Sequence, residues 1–136
     1  MAGSKREFER ADVVSVHYVR SERSKGIVST TELDLMWPWV MLDDSSRGPL
    51  VVEKALYDAL EKGRIRGAAL DDFWIEPLPG DSRWRTTRWG EGGRGEVVMT
   101  PHTGFVSWET MENWWVQTRT NLERWSAGKE VLDRLW

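Results

Sequence analysis

The sequence predicts an α/β fold with a parallel sheet, and three observations carry that reading. Short β-branched, apolar runs alternate with helix-compatible stretches, and such alternation implies parallel strands joined by right-handed crossovers. Val52, Ala55, Leu56, Ala59 and Leu60 recur at helical spacing within Val51 to Lys62, which makes one apolar helix face. The length of 136 residues, with 40% apolar and 30% charged residues, suits one packed domain over 1–136 rather than a disordered segment.

Each element follows from local chemistry. Lys5 to Arg10 is charged and helix-compatible. Ala11 to Tyr18 is β-branched and mostly apolar, as expected of a strand buried on both faces. Thr30 to Met36 can make a short helix that stops before Trp37-Pro38, because the residue preceding a proline avoids the helical region. Trp39 to Asp44 reads as the second strand, Ile65 to Phe73 as the third and Val97 to Thr100 as the fourth. Gly63 stands where the glycine cap of the Val51–Lys62 helix belongs. Pro77 to Glu96 is rich in Gly, Pro, Arg and Ser and reads as an ordered, irregular loop. Ser107 is an N-cap for a long last helix reaching about Ser126, with Gly128 as its stop. That helix carries one broad stripe of Trp108, Met111, Trp114, Trp115, Thr118, Leu122 and Trp125, expected in a core or an interface.

Composition excludes several classes. There is no cysteine, so disulfides, thiolate metal sites and cysteine nucleophiles are ruled out. A net charge of -3 argues against a nucleic-acid partner, which attracts a basic stripe. No apolar run reaches the roughly 20 residues of a membrane span, and the first residues lack the apolar segment of a secretory signal. A cytoplasmic protein is the expectation. The ten Trp residues are abnormal for this length.

Three polar residues follow successive strands: Arg47 the second, Glu76 the third and His102 the fourth. Ligands of open α/β sheets bind outside the carboxyl ends of the strands, so the three can converge. Arg clamps a carboxylate, His exchanges protons near neutral pH, and Glu can orient the His. Spacing alone leaves the alternative open: Arg47 capping a turn, Glu76 a solvated carboxylate, His102 a satisfied loop histidine. No metal site is expected.

Five stretches, in order, carry a resemblance: Ala11 to His17, Ser45 to Leu50, Gly67 to Asp71, Glu76 to Pro79 and Thr100 to His102. The chain resembles the later half of the nucleotide-binding domain of the D-isomer-specific 2-hydroxyacid dehydrogenases. The resemblance implies a partial Rossmann-like parallel sheet of about four strands, with flanking helices and a long C-terminal helix. It implies that Arg47 binds the substrate carboxylate and polarises its keto group, and that His102 is the acid/base with Glu76 as partner. Asp71 would hold the nicotinamide carboxamide of NAD(P), Ser45 and Ser46 would line its ring, and His17 would lie near the cofactor.

Departures from the family accompany the likeness. No G-x-G-x-x-G follows a strand, and Gly92-Gly93-Arg94-Gly95 precedes one instead, so the turn that receives a pyrophosphate is missing. Asp43 and Asp44 replace an apolar residue and Asn, and Asp72 replaces Val. Those added carboxylates either disfavour a phosphate-bearing cofactor or stand exposed. The expectation is a truncated relative that keeps the acid/base residues but does not bind NAD alone. Alternatives are a cofactor-free enzyme using His102 and Glu76 on a small carboxylate or aromatic substrate, or a non-catalytic interaction domain. A homodimer is expected, through the first strand's edge or the Trp-bearing face of the last helix.

Overall fold

The computed structural model describes residues 5–132. Two compact units divide the chain, 1–104 and 105–136. The first contains α1 (Lys5–Phe8), β1 (Val13–Val16), α2 (Thr30–Leu33), β2 (Met41–Asp44), a 3-10 turn over Gly48–Leu50, α3 (Glu53–Glu61), β3 (Gly67–Leu70), α4 (Arg83–Thr86) and β4 (Glu96–Met99). The second holds α5 (Trp108–Ser126).

The sheet is parallel throughout, with strands in the order β1-β2-β3-β4. Val16, Asp44, Leu70 and Met99 stand side by side at the last register position. The four residues that next leave the strands therefore emerge on one sheet edge. Val40, Leu42, Leu50, Leu56, Leu60, Ile65 and Leu70 are fully enclosed beneath that edge. The first three strands and first three helices are shorter than the sequence suggests, because their flanking residues belong to turns, whereas β4 and α5 keep the expected length.

Local signals hold where the geometry is local. Ser29 caps α2 in a reciprocal capping box with Glu32. Gly63 adopts φ 61 after α3, while Gly63 N–H donates to Leu60 and Arg64 N–H to Ala59. That pair of bonds is the Schellman ending, which requires a left-handed residue. Ser107 Oγ accepts from Thr110 N–H at 3.1 Å to start α5, and Gly128 follows its end with φ 68.

Three expectations are corrected. β1 is not buried on both faces: Val13 is 61% exposed, since β1 is an edge strand with no partner on its outer side among the described residues. The Pro77–Glu96 stretch is not wholly irregular, since it contains α4, capped by Ser82. Trp84 of α4 is 1% exposed, stacks on Trp74 and donates its indole N–H to Glu53 Oε1 at 3.0 Å. In the second unit, α5 has no buried residue, and Trp108 is 83% exposed. Within its own unit that stripe forms no core.

Candidate active site

The sheet edge brings Arg47, Glu76 and His102 together. After β2, Asp44 Oδ1 accepts from Ser46 N–H, Ser46 Oγ–H and Arg47 N–H. This turn aims Arg47 across the sheet. Gly48 is required next to it, since a Cβ there would lie 2.7 Å from the Phe73 carbonyl carbon. After β3, Phe73 N–H donates to Glu76 Oε1 at 3.1 Å, which fixes the Glu76 carboxylate.

His102, after β4, is the one non-glycine residue at positive φ among the described residues, at 55. That conformation is strained for most side chains and needs surroundings that over-determine it. Asp71 supplies them. Its main-chain oxygen accepts His102 N–H at 2.8 Å. Its carboxylate accepts from the Thr100 hydroxyl, Thr103 N–H and Gly104 N–H.

His102 Nδ1 lies 3.1 Å and 3.0 Å from the two Glu76 oxygens. Its Nε2 lies 3.3 Å from Arg47 Nη1. Glu76 can only accept, so Nδ1 carries a proton and Nε2 is the atom left for exchange. The bond to Glu76 raises the His102 pKa, with the Asp72 and Glu76 charges adding and burial and Arg47 opposing. Burial works against the Glu76 carboxylate, but bonds from His102 and Phe73 N–H outweigh it and lower its pKa.

The same balance operates at Asp71, where Thr100, Gly104 and Thr103 outweigh burial and lower the pKa. Asp72 goes the other way. Burial and the neighbouring Glu76 carboxylate raise its pKa, and Arg47 offsets them only in part.

Asp72 is the site residue that the motifs did not reveal. Its side chain is 4% exposed, and Oδ2 lies 3.1 Å from Arg47 Nη1 and 3.7 Å from His102 Nε2. Asp44 is also buried, so these two added carboxylates do not stand exposed. The signal available in the sequence was the replacement of a family Val by Asp. Asp72, Glu76 and His102 hold donor atoms within 4.8 Å of one another, but the Arg47 guanidinium already supplies the positive charge among them.

A cleft of about 530 Å³ opens beside the pair, lined by Glu76, His102, Phe73, Leu78, Met99 and Arg85. Arg85 is steered there by donating to the Leu78 carbonyl at 3.2 Å and 3.3 Å, so it is more than a solvated loop cation.

The remaining expected residues lie on the same sheet edge. The Ser46 carbonyl accepts from Arg47 Nη1 at 2.7 Å, and Ser45 Oγ reaches Asp43 at 3.5 Å. His17 Nε2 bonds Ser15 Oγ at 2.8 Å, and that hydroxyl donates to Asp43. Through these contacts the His17 ring serves the β1–β2 pairing.

The Asp71 carboxylate is engaged by three donors, and a Cβ at Gly104 would come 2.8 Å from its Oδ2. Gly90, Gly92 and Gly93 take positive φ ahead of β4 rather than at a helix start. Those glycine turns therefore lead into a strand and not into a helix.

Known proteins resemble this chain in sequence and fold. The sequence model of the D-isomer specific 2-hydroxyacid dehydrogenase NAD binding domain matches residues 2–104. The chain is 30% identical to hydroxypyruvate reductase of Blautia hydrogenotrophica over 124 residues, 91% of this chain and 36% of that protein. It is 33% identical to glyoxylate reductase of Korarchaeum cryptofilum over 122 residues, 90% of this chain and 35% of that protein. The chain thus spans about a third of the length of these curated relatives. A putative D-3-phosphoglycerate dehydrogenase from Ralstonia solanacearum superposes with a TM-score of 0.81 at 29% identity, over 95% of this chain and 36% of that one. A D-isomer specific 2-hydroxyacid dehydrogenase from Xanthobacter autotrophicus Py2, in complex with NADPH and MES, gives 0.70 at 26% identity, over 97% and 51%. The five ordered stretches, the parallel sheet and the matched residues agree: the chain belongs to the D-isomer-specific 2-hydroxyacid dehydrogenases, through their NAD-binding domain.

Proposed function

We propose that the chain supplies the proton-transfer half of a hydroxyl–carbonyl interconversion, the chemistry of the 2-hydroxyacid dehydrogenases. The observation that carries this is His102, held by Glu76 through Nδ1 at 3.0 Å with Nε2 turned toward Arg47. Glu76 fixes the ring and stabilises its charged form. In the reducing direction protonated Nε2 gives its proton to the carbonyl oxygen, which Arg47 polarises, and a reduced nicotinamide would supply the hydride to the carbonyl carbon. In the oxidising direction neutral Nε2 takes the hydroxyl proton, and an oxidised nicotinamide would accept the hydride. The raised His102 pKa extends the pH range over which the ring holds its proton.

Two measurements test the reading. In any NADH-dependent turnover of glyoxylate or hydroxypyruvate, His102→Ala is expected to reduce kcat by about 10²–10⁴-fold, the usual worth of a positioned acid/base. Full activity in that variant, or a His102 ring titrating at an ordinary pKa by NMR, overturns it. The 136-residue chain alone is expected to bind NADH weakly or not at all, because the described residues offer the pyrophosphate no glycine turn. A micromolar dissociation constant from nicotinamide fluorescence contradicts this.

A further inference from the structure

We propose that Asp72 is a specificity-determining residue, an internal carboxylate seated on Arg47 that turns the site away from 2-keto carboxylates and toward carbonyl compounds uncharged beside the carbonyl. The proposal rests on the proton-transfer reading above and adds the substrate class.

The geometry is specific. Arg47 Nη1 donates to the Ser46 carbonyl at 2.7 Å and to Asp72 Oδ2 at 3.1 Å, and it faces His102 Nε2 at 3.3 Å. A 2-keto carboxylate that uses both Arg47 and His102 must set its carboxylate on the guanidinium and its keto oxygen near Nε2. Asp72 Oδ2 stands in that corner, 3.1 Å from one group and 3.7 Å from the other. Two carboxylates then share one guanidinium edge, and like charges at this range repel strongly in a partly desolvated site. Buried Asp44 adds negative charge beside Asp72. An uncharged carbonyl compound meets no such penalty, and it still finds the Nε2 proton and a polarising cation.

Packing gives no reason for an acid at this position. Its partner Arg47 is 51% exposed and is solvated without it, whereas the buried carboxylate needs Arg47 to offset its desolvation.

The test compares pyruvate with its uncharged isostere pyruvamide, read by NMR shifts of the His102 ring and the Arg47 Nε–H in the 136-residue chain. Asp72→Val is expected to raise pyruvate affinity relative to pyruvamide by about tenfold or more. Asp72→Asn keeps the side-chain volume and reports the same ratio should the valine variant fail to fold. An unchanged ratio in the folded variants overturns the role of Asp72. That outcome is separate from failure of the proton-transfer reading, which appears in the kcat of the His102 variant.

Discussion

Asp71 and Asp72 are consecutive, both buried, and both leave the end of β3, yet their carboxylates meet opposite fates. Asp71 gathers the Thr100 hydroxyl and two backbone N–H groups, all held by one turn, and its pKa falls. Asp72 meets one long, half-exposed cation and a second carboxylate, and its pKa rises. Burial is common to both. What separates them is the number of fixed donors, because pre-positioned N–H groups repay desolvation while a mobile side chain does so only in part. Asp71 is thereby a part of the scaffold that holds His102, and Asp72 a neighbour of the Arg47 and His102 side chains.

The largest expected effect breaks the scaffold side. Asp71→Ala leaves Thr103 N–H, Gly104 N–H and the Thr100 hydroxyl without their acceptor, and it frees the turn that keeps His102 at positive φ. Each lost partner costs about 1–3 kcal/mol, so a loss of about 3 kcal/mol or more is expected from urea unfolding. A loss under about 1 kcal/mol would show that Asp71 is no more structural than its neighbour. Asp72→Val is expected to stay within about 1 kcal/mol of the parent or to gain stability, since Arg47 returns to water and a buried charge disappears.

The pH dependence sharpens the contrast because the two signs differ. Asp71 has a lowered folded pKa. Its contribution is complete above the unfolded carboxyl value of about 3.9 and is lost as pH falls through the folded value. Asp72 has a raised folded pKa, so folding is favoured below about 3.9 and that advantage is lost as pH rises through the folded value. His102 follows the second pattern from its own unfolded value, about 6.5. In unfolding series from pH 2 to 9, Asp71→Asn should flatten the most acidic limb, and Asp72→Asn the limb above pH 4. Identical curves for the two variants would erase the distinction.

Strand ends were legible in the sequence because order along the chain becomes order across a parallel sheet. Arg47, Glu76 and His102 follow β2, β3 and β4, and they meet at the expected edge. Gly63 and Ser107 were legible because caps are local. What sequence reading missed depends on tertiary approach. A four-residue helix such as α4 shows no periodicity, so Trp84 did not stand out as core while Trp108 looked equally apolar. The ion pair of Asp72 with Arg47 joins residues 25 apart, and no local pattern encodes it. The left-handed φ of His102 likewise depends on Asp71, far back in the chain.

The smallest effect concerns Asp44, which carries features of both neighbours. Its Oδ1 accepts three donors, like Asp71, but Oδ2 has no hydrogen-bond partner. Burial raises its pKa, three bonds to the Ser46–Arg47 turn oppose this, and the Asp72 charge adds to the rise. Asp44→Asn retains the accepting oxygen, so the turn stays, and it removes a buried charge. A gain of up to about 1 kcal/mol is expected at pH 8. Since Asp44 and Asp72 repel each other, neutralising either one relieves both, and the double variant Asp44→Asn/Asp72→Asn should gain less than the sum of the singles. Unfolding free energies of the four proteins decide it: additivity within about 0.3 kcal/mol would mean that the two carboxylates do not interact, and that Asp72 answers to Arg47 and Glu76 alone.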